Sequence, residues 1–155
     1  MPVRKLEEFL DSKQVKYITI NHSPAYTARE VAASAFVPRR EFAKATIVKL
    51  DGAMAIAVVP ASRHVDLGKM ASETGASVAL LASEQEFRDR FPGCEVGAMP
   101  PFGNLYDMKT YVDTLLAEDD EIVFNAGTHT QVVRLSYDDY STLVQPVLCS
   151  ISVKE

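Results

Sequence analysis

Apolar residues recur at helical spacing in residues 4–13, where Leu6, Phe9 and Leu10 stand among charges, and this predicts a first helix. Residues 15–20 alternate apolar and polar and are rich in β-branched side chains, which predicts a strand. Asn21-His22-Ser23-Pro24 breaks that pattern. Thr27-Ala28-Arg29-Glu30 reads as a capping box opening a second helix, continued by Val31, Ala32, Ala35 and Phe36 and closed by Pro38. Two apolar runs, 45–50 and 53–59, flank Asp51-Gly52, a strong hairpin signal. Neither run alternates, so both strands are expected to be covered on two faces.

Asp66 can cap a short helix over 67–73, with Gly75 as its stop. A short strand is expected at 78–81. A second capping box, Ser83-Glu84-Gln85-Glu86, opens a helix through Phe91 that Pro92-Gly93 ends. Strands are predicted at 109–112, 121–124 and 131–135, the last two joined by the tight connection Asn125-Ala126-Gly127-Thr128-His129. Ser136 or Asp138 can cap a helix holding Tyr140, Leu143 and Val144, which Pro146 ends. The tail 147–153 reads as a final edge strand. Hairpins beside helical crossovers imply an α/β fold, a mixed sheet surrounded by helices. No repeat or linker divides the chain, so one domain over 1–155 is expected.

Composition narrows this little. The 155 residues are 47% hydrophobic and 24% charged, as in soluble globular proteins. No apolar run is long enough to span a membrane. Met1-Pro2-Val3-Arg4 leads into an acidic helix start and not a signal peptide. Two cysteines, Cys94 and Cys149, make no disulfide framework and point to a reducing cytoplasm. No Cys-x-x-Cys or His-x-x-x-His spacing supports a metal site. The net charge of −5 argues against broad binding to nucleic acid. It leaves room for a local basic patch, and Arg39, Arg40, Lys44 and Lys49 cluster in sequence.

Candidate chemistry gathers in residues 94–104. There Gly97 and Gly103 bracket Pro100-Pro101, a stiff segment whose bare amides suit a carbonyl or oxyanion. Lys44 stands at the mouth of an apolar strand, either reaching solvent or directing a cation into a cleft. Of the three histidines, His22 and His64 lie in loops and His129 follows Gly127-Thr128 at a strand start. A Cys94/His129 nucleophile pair can be drawn, but no third residue orients it. Phosphate-loop, dinucleotide-binding and nucleophile-elbow motifs do not occur.

Lys44, the segment Gly97-Ala98-Met99-Pro100-Pro101-Phe102-Gly103 and Gly127-Thr128-His129, taken in order, resemble the YbaK/EbsC proteins. These are free-standing relatives of the editing (INS) domain of bacterial prolyl-tRNA synthetase. The resemblance extends through Ala43-Lys44-Ala45-Thr46-Ile47-Val48, Val58-Val59-Pro60-Ala61, Tyr111-Val112-Asp113 and Phe124-Asn125-Ala126-Gly127. It implies an α/β fold with a mixed, curled sheet. The implied activity is metal- and cofactor-independent hydrolysis of a mischarged aminoacyl-tRNA, alanine on tRNA(Pro) first and cysteine, serine or threonine as alternatives. A non-catalytic module binding an aminoacyl-adenosine or a partner protein is the other reading. The resemblance gives Lys44, His129 and Gly97 to catalysis. It gives Ala45, Thr46, Ala98, Met99, Pro100, Pro101, Phe102, Gly103, Gly127 and Thr128 to substrate binding. Alanine editors often carry asparagine where this chain has Ala45. The implied partner is the acceptor end of tRNA. Docking on prolyl-tRNA synthetase and the oligomeric state stay open.

The residue chemistry suits such a reaction. An aminoacyl ester is already activated, so a positioned water or the neighbouring ribose hydroxyl can serve without a covalent nucleophile. Amide donors to the developing oxyanion are worth roughly 3–4 kcal/mol each. A small pocket filters by size, at roughly 1–3 kcal/mol per methylene.

Overall fold

A computed structural model describes residues 3–154; Met1, Pro2 and Glu155 lie outside the described residues, and with them the head of the expected helix start. In chain order the elements are α1 (Arg4–Ser12), β1 (Tyr17–Asn21), α2 (Ala28–Ser34), β2 (Ala43–Leu50), β3 (Ala53–Pro60), β4 (Arg63–Val65) and α3 (Leu67–Thr74). There follow β5 (Ala79–Leu81), α4 (Glu84–Phe87), β6 (Lys109–Asp113), β7 (Glu121–Asn125), β8 (Gln131–Ser136), α5 (Tyr137–Val144), β9 (Val147–Cys149) and β10 (Ser152–Lys154). Thr27 and Ser83 close reciprocal capping boxes with Glu30 and Glu86, and Gly75 ends α3 in the left-handed conformation at φ 77°.

The hairpin forms as the Asp-Gly signal requires. Asp51 and Gly52 both take positive φ, 51° and 87°, which matches the twist of the strands they join. β2 and β3 pair antiparallel along their whole length, whereas β3–β6 and β6–β9 are parallel. The five-stranded sheet is therefore mixed, in the order β5-β2-β3-β6-β9. β3 is its middle strand and residues 55–60 are buried, the two-faced burial its unbroken apolar run implies. Ile56 and Val58 join the large core beneath α1 and α5, while Ala55, Ala57 and Val59 pack on the α3 side. The remaining strands form a three-stranded sheet, β1-β8-β7, and a two-stranded one, β10-β4.

Several elements depart from the sequence expectation. α2 stops at Ser34, not at Phe36. The Phe36 and Val37 amides turn back to the carbonyls of Ala33 and Ala32, and Phe36 takes φ 57°. Val37, held out of helix by Pro38, enters the core in its place. α4 ends at Phe87 and gives way to a 3-10 turn over Arg88–Arg90. The tail divides into β9 and β10, in different sheets. The break falls where buried Asp113 accepts the Ile151 amide at 3.0 Å. β4 is too short to show a period in sequence.

The two larger sheets meet at one parallel bridge, Phe42 to Val123, where the Val123 amide donates to Glu41 O at 3.0 Å. Beyond it β2 and β7 part. β5 pairs only with residues 48–50, and Ala82 N–H reaches Ile47 O at 3.0 Å. Alternate residues of a strand turn their amide and carbonyl to the same edge. Glu41 O and Ile47 O both serve this edge, so Ala45 presents its N–H and C=O in the gap between β7 and β5.

Candidate functional site

That gap opens into a cavity of about 310 Å³. β2 lines it with Lys44, Ala45, Thr46 and Ile47, and the turn from β5 into α4 with Leu81, Ala82 and Phe87. Gly97 and Met99 come from the glycine/proline segment, Asn125 from the end of β7, and Tyr26 and Ala28 from the approach to α2. The structure thus brings together Lys44, Ala45, Thr46, Gly97 and Met99 from the expected set.

Lys44 is half-buried, and its Nζ donates to Arg63 O at 2.8 Å. It lies where the cavity meets a second hollow lined by Thr27, Arg29, Ala61 and His64. The basic residues clustered in sequence separate in space. Lys49 donates to Glu86, holding that carboxyl down at about 2, and Arg40 lines a hollow with Arg63 and Lys154.

The glycine/proline segment has two ends of different character. Gly97 is exposed at φ 89°, and its N–H donates to Met99 Sδ at 3.2 Å. A thioether is a weak acceptor, so a stronger oxygen can take that amide from it. From Ala98 onward the segment is buried. Ala98 N–H donates to Glu95 O, Phe102 N–H to Pro100 O, and Gly103 N–H to Thr110 Oγ1. Pro101 O accepts from Tyr140 Oη at 2.6 Å, and the Phe102 ring lies 5.2 Å from that of Phe124. Ala98, Pro100, Pro101, Phe102 and Gly103 therefore face core and not the cavity lining. Their amides are bound within the chain or absent, contrary to the expectation of bare donors. Ala45, on the unpaired edge of β2, brings an open amide to the cavity lining.

The turn after β7 braces this wall from behind. Gly127 N–H donates to Ala98 O at 2.9 Å, and Gly127 O accepts from Glu95 N at 2.8 Å. Gly127 takes φ 97°, and a Cβ there would meet Val3 Cβ at 2.6 Å. Thr128 Oγ1 lies 3.4 Å from Thr130 Oγ1. His129 reaches the back of the loop: its N–H donates to Glu95 Oε2 at 3.0 Å, and Nε2 bonds Val96 O at 2.9 Å. A carbonyl only accepts, so Nε2 donates to it, and Nδ1 is buried without a partner among the described residues. Its Cε1 would sit 3.5 Å from a Cβ at Gly97, and Tyr26 covers the ring at 4.7 Å between centroids. His129 thus holds the Gly97 corner and does not line the cavity.

Cys94 belongs to the core side. Its Sγ hydrogen-bonds Tyr106 Oη at 3.4 Å, and burial pushes the thiol pKa up. No His129 contact activates it, so the thiol-nucleophile reading fails on geometry and ionisation alike. No group of three metal-ligating side chains occurs among the described residues, and no helix among them is long and apolar enough to cross a membrane. Seven of the twelve lining residues stand outside the expected set, and Tyr26 and Asn125 are the polar ones among them. Asn125 stood within the flagged connection, and Tyr26 carried only its place before the Thr27 cap.

The fold and this cleft between parting strands define a class. Over 97% of this chain and 100% of the other, the structure superposes on a solved hypothetical protein with TM-score 0.86 at 21% identity. Over 99% and 96% it superposes on a candidate trans-editing enzyme for prolyl-tRNA synthetase, with TM-score 0.81 at 21% identity. In sequence, 111 residues are 40% identical to the multifunctional Ser/Thr-tRNA deacylase ProXp-y of Escherichia coli K12, covering 68% of this chain. The chain spans 66% of the length of that relative. The family model for the aminoacyl-tRNA editing domain matches residues 22–143. The chain belongs to the aminoacyl-tRNA editing domain family.

Proposed function

We propose that this protein hydrolyses the ester joining a small amino acid to the 3′ end of a mischarged tRNA. The observation that carries this reading is the convergence of Lys44, the open β2 edge at Ala45 and the Gly97 corner on one cavity. Water adds to the ester carbonyl, the bond to the ribose oxygen breaks, and that oxygen takes the proton the water gives up. Ala45 N–H is the first donor to the oxyanion. Gly97 N–H, released from Met99 Sδ, is the second. Lys44 places a cation beside the ribose or the terminal phosphate. His129 is a positioning residue that fixes Gly97 through Val96.

Serine and threonine are the preferred acyl groups. Thr46 and Asn125 set a hydroxyl and an amide in an otherwise mainly apolar lining, and the curated relative is named for Ser/Thr-tRNA. A site that hydrogen-bonds a substrate hydroxyl discriminates against the analogue that lacks it. Alanine on tRNA(Pro), first in the sequence reading, becomes the second choice, and docking on prolyl-tRNA synthetase is not required by this site.

The test is deacylation of serine, threonine, alanine and cysteine esters on their own tRNAs and on tRNA(Pro). Seryl or threonyl esters should turn over fastest, and Lys44→Ala should lower kcat/KM by about 10²-fold or more with an unchanged melting temperature. Full activity of Lys44→Ala would remove Lys44 from the site. Tight binding of a non-hydrolysable seryl-adenosine mimic without turnover of any ester would replace the enzyme by a binding module.

A further inference from the structure

Lys44 ends a flexible four-carbon stem, so where its ammonium sits depends on what accepts from it. The Arg63 carbonyl accepts from Nζ at 2.8 Å. β10 aims that carbonyl. Asp66 N–H donates to Ile151 O at 2.8 Å, which continues the β4–β10 register and makes these two a hydrogen-bonded pair. Such pairs alternate in an antiparallel ladder, so His64 and Val153 form the next one through their backbones. Arg63, one residue further, turns its carbonyl to the opposite edge, where Lys44 takes it.

A two-stranded ribbon of three residues a side is marginal by itself. Side chains fasten this one. Arg63 Nε donates to Ser152 Oγ at 2.6 Å, and its Nη2 donates to Ser152 O at 3.1 Å. Lys69 Nζ, from α3, donates to the same carbonyl at 3.0 Å. Just before it, the Ile151 amide is held by buried Asp113. Hydrogen bonds with a charged donor are the stronger kind, and these converge on one residue. Ser152 is 2% exposed and does not line the acyl cavity, so any effect it has on a substrate there passes through its neighbours.

We infer that Ser152 and Arg63 are positioning residues that set the place of the Lys44 ammonium at the acyl cavity. The contacts run from Ser152 Oγ to the Arg63 guanidinium, through the Arg63 backbone, and on to Lys44 Nζ. Ser152 lies beyond residues 22–143, the span that the editing-domain model matches, so in this chain Lys44 is supported from outside the matched span. The inference rests on the deacylase reading for what the placed cation then does.

Ser152→Ala removes the hydroxyl and keeps the backbone. It should lower kcat/KM for seryl-tRNA about fivefold through a displaced ammonium. In a Lys44→Ala background the same substitution should change kcat/KM by less than about 1.5-fold, because its route to the substrate is gone. Arg63→Met keeps the stem and the carbonyl but ends the guanidinium contact, and it should repeat both results. The Lys44 ammonium resonance in a heteronuclear NMR spectrum, assigned by its loss in Lys44→Ala, should shift or broaden in both variants, which a loss of stability alone does not produce. An equal fall with and without Lys44, or an unmoved resonance, overturns the positioning role, and so does normal turnover of seryl-tRNA by both variants. If the wild type hydrolyses no ester, the deacylase reading fails and the resonance alone decides. A shift or broadening in both variants then supports the hold on Lys44, and an unmoved resonance overturns it.

Discussion

Gly97 and Gly103 stand in one short segment, and they are glycines for opposite reasons. Gly97 needs its backbone: it is exposed at φ 89°, and an added Cβ would make only an ordinary 3.5 Å contact with His129. Gly103 needs its lack of volume: a Cβ there would lie 2.4 Å from both Met108 O and Thr110 Oγ1. Between them the proline pair stiffens the segment, as its sequence implies, but the stiffness serves to anchor it in the core. Tyr140 fastens Pro101, and Phe102 packs among aromatic rings. The Gly97 corner, held at the cavity surface, is the free end of a lever whose other end is buried.

If that division is right, Gly103→Ala has the largest effect on the fold. Overpacking against a backbone carbonyl should cost about 3 kcal/mol. For a chain of this size that lowers the melting temperature by roughly 6–12 °C, read by thermal unfolding. Activity of the folded fraction should stay within about twofold. Gly97→Ala should do the reverse, lowering kcat/KM about tenfold through a shifted corner while costing about 1 kcal/mol of backbone strain. Kinetics and melting on the same two proteins test both halves. A Gly97→Ala variant that melts much lower but turns over normally would merge the two glycines into one structural role.

The difference between these glycines marks the limit of what the sequence disclosed. Local signals were legible because they act over a few residues: Thr27 with Glu30, Asp51-Gly52, Gly75. The convergence of Lys44, Gly97 and the turn holding His129 was legible only through the family resemblance, because residues so far apart in sequence have no period in common. The resemblance marked residues 97–103 as a unit and could not say which of them face the cavity. Burial sorts them, since Gly97 and Met99 line the cavity while Phe102 and Gly103 face core. The Ala45 amide was invisible for another reason. It becomes an open donor only because β5 stops pairing at Val48 and β7 leaves at Val123, both long-range outcomes. Phe36 misled because its apolar type fits the helical period, whereas Val37 takes the core position.

The anchored end can be loosened without touching the corner. Thr110 is buried, and its Oγ1 accepts the Gly103 amide at 3.0 Å. Thr110→Val keeps the shape and removes the acceptor, leaving a buried N–H unmet. Denaturant unfolding should show a loss of about 1–2 kcal/mol. Turnover should change by less than about twofold, because Gly97 keeps its bracing through His129 and Gly127. A proportionate fall in kcat would mean that the corner and the anchor are mechanically one.

Cys94 gives the smallest expected effect and the finest test of where the boundary runs. It precedes Gly97 by only a few residues, yet its thiol is held by Tyr106, a core residue with Phe91 packed at 4.7 Å. Burial raises the thiol pKa, so the nucleophilic thiolate is scarce at neutral pH. Cys94→Ser keeps the size and the hydrogen bond to Tyr106 but exchanges sulfur for a more polar oxygen in a partly buried site. Stability should fall by about 1 kcal/mol or less. The kcat/KM profile between about pH 6 and 8 should superpose on that of the wild type, since no thiol ionisation enters the reaction. A profile that loses a limb in the serine variant would move Cys94 across the boundary, from the wall of the core into the chemistry of the cavity.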